Sequence, residues 1–154
     1  MIQRIQSLYL LITFALTIIM FCLPFGTFLG GQEGFTLSAW AIKNSAGQTV
    51  VPTTPMGILL LVCSILSFFT IFLYRHRWVQ LRFCVVGMVL YLGLQAFVVF
   101  YTLRSNSAVS QADIHSMSYS VTCILPLVCL ILTWLAFRGV LKDETLVKSL
   151  ERIR

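Results

Sequence analysis

Four apolar stretches, each close to the length that crosses a bilayer, occupy most of this 154-residue chain. A hydrocarbon core about 30 Å thick needs about 20 predominantly apolar residues, within a range of about 17 to 25. The stretches run from about Leu8 to Leu23, Met56 to Tyr74, Phe83 to Leu103 and Met117 to Phe137. Hydrophobic residues make up 58% of the chain and charged ones only 10%, where a soluble domain carries about 25% charged residues. The expected fold is an all-α membrane protein, a bundle of four transmembrane helices. No internal repeat is visible and the connections are short, so residues 1–154 form a single polytopic domain.

Local signals set the ends of these spans. Ile2, Ile5 and Tyr9 continue the first apolar stripe toward the N-terminus, and Pro24 with Gly26 ends it. Leu23-Pro24-Phe25-Gly26 is not the small-residue site of a cleaved leader, so the stretch is expected to stay as a helix. Thr54 is placed to cap the second span, with Pro55 at its first helical position. The fourth stretch, taken from Met117, has Pro126 in its interior.

Lys and Arg resist translocation, so their distribution sets orientation. With the N-terminus inside, Arg4, Arg75, Arg77, Arg82, Arg138, Lys142, Lys148, Arg152 and Arg154 fall on the cytoplasmic side, and only Lys43 and Arg104 lie outside. Nine against two places both termini in the cytoplasm. The net charge of +6 follows from this topology; anionic lipid headgroups are its natural partners and nucleic acid is not.

The outer segment 24–55 is the one sizeable connection. Its glycines, Gly26, Gly30, Gly31 and Gly34, read as a flexible lead-in. Phe35 to Ile42 and Gln48 to Val51 flank the turn-like Asn44-Ser45-Ala46-Gly47, which predicts a small β-hairpin over the bundle mouth. Trp40 on this hairpin is either a cover for helix ends at the interface or part of a ridge that binds a partner. The tail, 138–154, spaces Leu146, Val147, Leu150 and Ile153 helically against a charged opposite face. That pattern predicts an amphipathic cytoplasmic helix, lying on the membrane or docked on a partner.

Catalytic groupings are missing. Cys22, Cys63, Cys84, Cys123 and Cys129 all fall in or beside spans and none forms a Cys-x-x-Cys pair, so they read as packing residues. His76 and His115 lie on opposite sides of the membrane, and no acidic residue falls inside a span. Ion-driven transport and intramembrane hydrolysis both need such groups. The expectation is a non-enzymatic protein without metal or cofactor. Gln95 is the one polar residue deep in a span, at the depth of Leu125 and Pro126 on the antiparallel fourth span. An internal Pro126 cannot bond the carbonyl of Thr122, which Gln95 could then serve as interhelical glue; the alternative is recognition of a ligand.

The opening Met1-Ile2-Gln3-Arg4-Ile5-Gln6 and the closing Lys142-Asp143-Glu144-Thr145-Leu146-Val147-Lys148-Ser149-Leu150-Glu151-Arg152-Ile153-Arg154, with four spans between them, carry a resemblance. The chain resembles a Bacteroidetes family of small four-helix inner-membrane proteins classed as a domain of unknown function. That resemblance implies a bacterial inner membrane and brings no assigned activity. At the cytoplasmic interface Asp143 or Glu144 could pair with Arg4, at about 0 to 1 kcal/mol. The layout is also similar to claudin-like four-helix proteins, which carry a β-rich first outer loop, although the paired loop cysteines of that group are absent here. Two functions follow as expectations: an accessory subunit that associates with a membrane-protein partner or with itself, and a small binder of an apolar ligand such as a lipid or quinone near Gln95.

Overall fold

The computed structural model describes residues 2–30, 33–73, 77–109 and 114–151. Four helices dominate it: α1 (Ile2–Cys22), α2 (Thr54–Phe72), α3 (Arg77–Val109) and α4 (Leu125–Glu151). Each of α1 and α3 packs against both α2 and α4, which closes the helices into a four-membered ring. Thr54–Phe72, Trp78–Arg104 and Leu125–Lys142 are long and apolar enough to cross a membrane, and Ser7–Cys22 in α1 is a shorter apolar helix.

The bundle has its polarity turned outside in. Leu8, Leu11, Ile58, Phe69, Val89, Leu92 and Ile131 project from the outside of the helices, exposed. Thr13, Thr17, Ser67, Thr70 and Thr133 are buried within it. In water such a surface would leave a large continuous apolar patch uncovered; in lipid it has a solvent of its own kind. The buried threonine hydroxyls of the helices are satisfied by their own helices: Thr13 donates to the Tyr9 carbonyl at 2.8 Å, Thr70 to Leu66 at 2.6 Å and Thr133 to Cys129 at 2.7 Å.

One end of the bundle is roofed by an antiparallel sheet of β1 (Gly26–Gly30), β2 (Glu33–Leu37), β3 (Ala41–Asn44), β4 (Thr49–Pro52) and β5 (Ile114–Tyr119), in the order β4-β3-β2-β1-β5. The turn at Asn44 to Gly47 is where the sequence places it. Gly47 has φ +75°, a value that side chains rarely adopt, and its N–H donates to the Asn44 carbonyl at 2.8 Å. Ser45 fastens the turn to β2 by accepting from the Gly34 N–H and donating to the Gly34 carbonyl.

Thr53, fully buried, joins roof to bundle. Its N–H donates to the Trp40 carbonyl at 3.0 Å and its hydroxyl to the Ser38 carbonyl at 3.1 Å, while its own carbonyl accepts from Met56 and Gly57 in the first turn of α2. Beneath the sheet, Phe25, Phe28, Leu37 and Ile42 merge with Met20, Met56, Leu60 and Leu94 into one core.

Four expectations change. The β structure is a five-stranded sheet and not a single hairpin: the glycine-rich lead-in forms β1 and β2, and the strand expected over Phe35 to Ile42 is interrupted between Leu37 and Ala41. The fourth span begins at Leu125 and not near Met117, because Ile114–Tyr119 pairs with β1, from Gly26↔Tyr119 to Gly30↔Ile114, and a 3-10 turn at Val121–Cys123 follows. Pro126 therefore sits in the first turn of α4, where a missing N–H strands no helical carbonyl. The tail is not a separate helix, since α4 runs unbroken to Glu151. The side chains of Arg4, Asp143, Glu144, Leu146 and Leu150 lie outside the described residues, and with them the expected Arg4 pairing and the apolar tail face.

Candidate functional site

Helices α3 and α4 run close together at Gly87, where an added Cβ would lie 3.4 Å from Leu66 and 3.6 Å from the Thr133 methyl group. Eight residues farther along α3, about 12 Å toward the sheet, stands Gln95. Here α4 begins, at Leu125, after β5 and the 3-10 turn, while α3 continues past this level to Val109. The result is a notch in the side of the bundle. It is a groove of about 540 Å³ lined by Leu92, Gln95, Ala96, Val99, Phe100, Leu103, Leu127 and Leu130. Most of these residues are exposed, so the groove opens sideways on the apolar outer face.

Gln95 is the single polar side chain of the groove. Its Oε1 is buried and, alone among the buried side-chain oxygens and nitrogens of the described residues, has no hydrogen-bond partner. A buried amide oxygen left without a donor costs about 1–3 kcal/mol. The expected bond to Thr122 is not made. Thr122 is buried in the 3-10 turn with its hydroxyl 3.1 Å from that of Ser120, and Thr133 bonds within its own helix. No polar seam joins these residues to Gln95.

A second polar centre lies inside the bundle, where the Ser67 hydroxyl of α2 and the Tyr91 hydroxyl of α3 are 2.7 Å apart. Cys63 and Cys129 belong with Tyr91 to one buried cluster, and the Cys129 thiol points to the Thr13 carbonyl at 4.0 Å. All four helices thus contribute to one buried cluster. Cys22 is exposed, and the Cys123 thiol is directed to the Phe25 carbonyl at 2.7 Å. Burial pushes the Cys123 thiol above its ordinary range. Cys63 and Cys129 are free, buried thiols. Among the described residues, no three His, Cys, Asp or Glu side chains gather where they could hold a metal ion.

Trp40 covers a helix end. Its ring lies against Gly57, whose added Cβ would come 2.7 Å from Trp40 Cε3, and its centroid is 6.2 Å from that of Phe21. Next to it the sheet ends in β4, whose outer edge pairs with no strand among the described residues and on which Thr49, Val50 and Pro52 are exposed. At the opposite end of the bundle Arg82, Arg138 and Lys142 are exposed, with the Arg138 guanidinium 5.0 Å from the Trp134 ring centroid.

A family model described as "Domain of unknown function (DUF4293)" matches residues 2–153. No curated protein matches the chain.

Proposed function

The chain belongs to this family of uncharacterised domains, and from that premise we propose that it is a multi-pass protein of the bacterial inner membrane, with both termini cytoplasmic and the sheet outside. It works there by association, as a non-enzymatic accessory or stabilising subunit of a larger membrane assembly. The apolar exterior of the helices and the nine-to-two division of Lys and Arg support the placement. The observation that carries the role is the sheet. It draws strands from both outer connections, is bonded to α2 through Thr53, and leaves the β4 edge unpaired with Val50 51% exposed. A rigid platform with an open edge suits pairing with another polypeptide.

Purification of the tagged chain in mild detergent, followed by mass spectrometry, tests this. A stoichiometric membrane protein is expected, and Val50→Lys, which puts a charge on the open edge, should release it while the bundle stays folded. Recovery of the chain alone from its native membranes would overturn the role. A second reading, binding of an apolar ligand such as a lipid or quinone, is supported by the groove at Gln95.

A further inference from the structure

The contact between Gly87 and Thr133, where an added Cβ would lie 3.6 Å from the Thr133 methyl group, sets α3 and α4 in register. Five residues farther from the sheet on each helix, about 7.5 Å by helical rise, stand Arg82 and Arg138, which therefore share one level. Packed helix axes lie about 8–10 Å apart, so two exposed arginines at one level can close on a single anion between them. Trp78 stands one turn from Arg82, and Trp134 and Lys142 stand one turn to either side of Arg138, all of them exposed. The Arg138 guanidinium lies 5.0 Å from the Trp134 ring centroid, a cation–π contact that limits where it can go.

Toward the sheet the same two columns turn apolar. Val85, Val89 and Leu92 on α3 and Ile131 and Leu127 on α4 are exposed. A cationic and aromatic end joined directly to an apolar flank matches the edge of a bilayer, where Trp sits at headgroup level and Arg and Lys reach outward from their stems. A soluble anion or an acidic peptide would use the charges and leave the apolar flank bare, whereas an anionic phospholipid uses both.

The number and spacing of the cations narrow the headgroup. A phosphodiester between Arg82 and Arg138 can take hydrogen bonds from both guanidinium groups. Lys142 lies four residues, about 6 Å, beyond Arg138 and away from the apolar flank. It is left for a second phosphate, which one headgroup supplies only if it carries two.

We propose that the α3–α4 face at the end away from the sheet binds cardiolipin, whose two phosphates are joined through one glycerol. One phosphate sits between Arg82 and Arg138 and the other at Lys142, with the acyl chains along Val85, Val89 and Ile131. The proposal rests on the membrane placement and is independent of the sheet as a docking platform.

Tetraoleoyl cardiolipin, dioleoyl phosphatidylglycerol and dioleoyl phosphatidylcholine are each titrated into the full-length protein in a neutral detergent, and lipid-bound species are measured by native mass spectrometry. Saturable one-to-one binding of cardiolipin is expected, about fivefold tighter than that of phosphatidylglycerol, with phosphatidylcholine weakest. Arg82→Gln and Arg138→Gln should each weaken cardiolipin about fivefold, the worth of one cation beside an anionic headgroup. Lys142→Gln should weaken cardiolipin by a similar factor and leave phosphatidylglycerol unchanged, and Lys43→Gln, on the sheet, should change neither. The melting temperature of each variant without lipid confirms that it is folded. Equal affinity for cardiolipin and phosphatidylglycerol, or a Lys142→Gln loss shared by both, would overturn the two-phosphate assignment. Undiminished binding in both arginine variants, or an equal loss in Lys43→Gln, would overturn the site. Resistance of the chain to extraction from membranes by sodium carbonate reports insertion separately, so a lost site is distinguishable from a failed membrane placement.

Discussion

The hydroxyls of Ser67 and Tyr91 meet at 2.7 Å between α2 and α3, with both residues buried. In a bundle of apolar helices packed largely by dispersion, such a bond fixes rotation and register of the pair. Tyr91→Phe should lower stability by about 0.6 kcal/mol, and by no more than about 1.7. Ser67→Ala should cost a similar amount. In a double-mutant cycle followed by unfolding in detergent, the two losses should fail to add, since either change removes the same bond.

Gly57 is where the roof touches the bundle. A Cβ there would fall 2.7 Å from the Trp40 ring and 3.0 Å from the Ala39 carbonyl. Gly57→Ala should therefore destabilise the protein by about 1–3 kcal/mol, the ordinary cost of overpacking. Trp40→Ala in the same chain should restore part of that loss, because it clears the ring but leaves the Ala39 carbonyl. Thermal unfolding followed by circular dichroism reads both.

Without a ligand, Gln95 is a liability to the fold. Gln95→Leu should raise the stability of the empty protein by up to about 1–3 kcal/mol by removing an unpaired buried oxygen. Pro126→Ala should change stability independently of it, the two effects adding within about 0.5 kcal/mol. Coupling between them in chemical denaturation would show that Gln95 reaches the start of α4 after all.

Cys123 predicts an alkaline weakness. Its thiol, with an ordinary value of 9.0, is raised by burial while it points to the Phe25 carbonyl. A folded-state value above the unfolded one gives stability that is complete below pH 9 and fades as pH rises through the folded value. Unfolding midpoints of the protein and of Cys123→Ala, compared from pH 7 to pH 10.5, should differ progressively above pH 9, with the variant declining less.

Orientation is open to labelling. In a chain without its native cysteines, Ala46→Cys on the β3–β4 turn should react with a membrane-impermeant maleimide in intact spheroplasts, and Thr145→Cys on α4 should react only after lysis. Both positions are exposed, so access to the reagent decides the outcome. The reverse pattern would invert the topology.

Apolar length made α2 and α3 legible from sequence, because about 20 consecutive apolar residues admit few other structures. Asn44 to Gly47 was legible as a turn for a local reason, the Gly47 backbone. The partner of β1 was not. Met117-Ser118-Tyr119, the second half of β5, reads as the start of the fourth apolar run, and the pairing of Ile114–Tyr119 with Gly26–Gly30 depends on a contact between distant parts of the chain. That one misplaced boundary turned Pro126 from a first-turn proline into an internal one and gave Gln95 a bond it does not make. The groove itself exists only because α4 starts late, a property of three dimensions that no local pattern in α3 announces.

The pairing of β1 with β5 also sets an order of events. Both α2 and α3 lie between these strands in sequence, so during synthesis β1 emerges long before the strand that covers it. Until β5 arrives, β1 is the outermost strand, with a row of free backbone donors and acceptors open to proteases and to the same strand of a neighbouring nascent chain. Closing a contact between such distant segments is intrinsically slow. Sealing the roof is therefore a late act that reports that the third helix is in place, and a chain stalled earlier carries a recognisable mark of being unfinished.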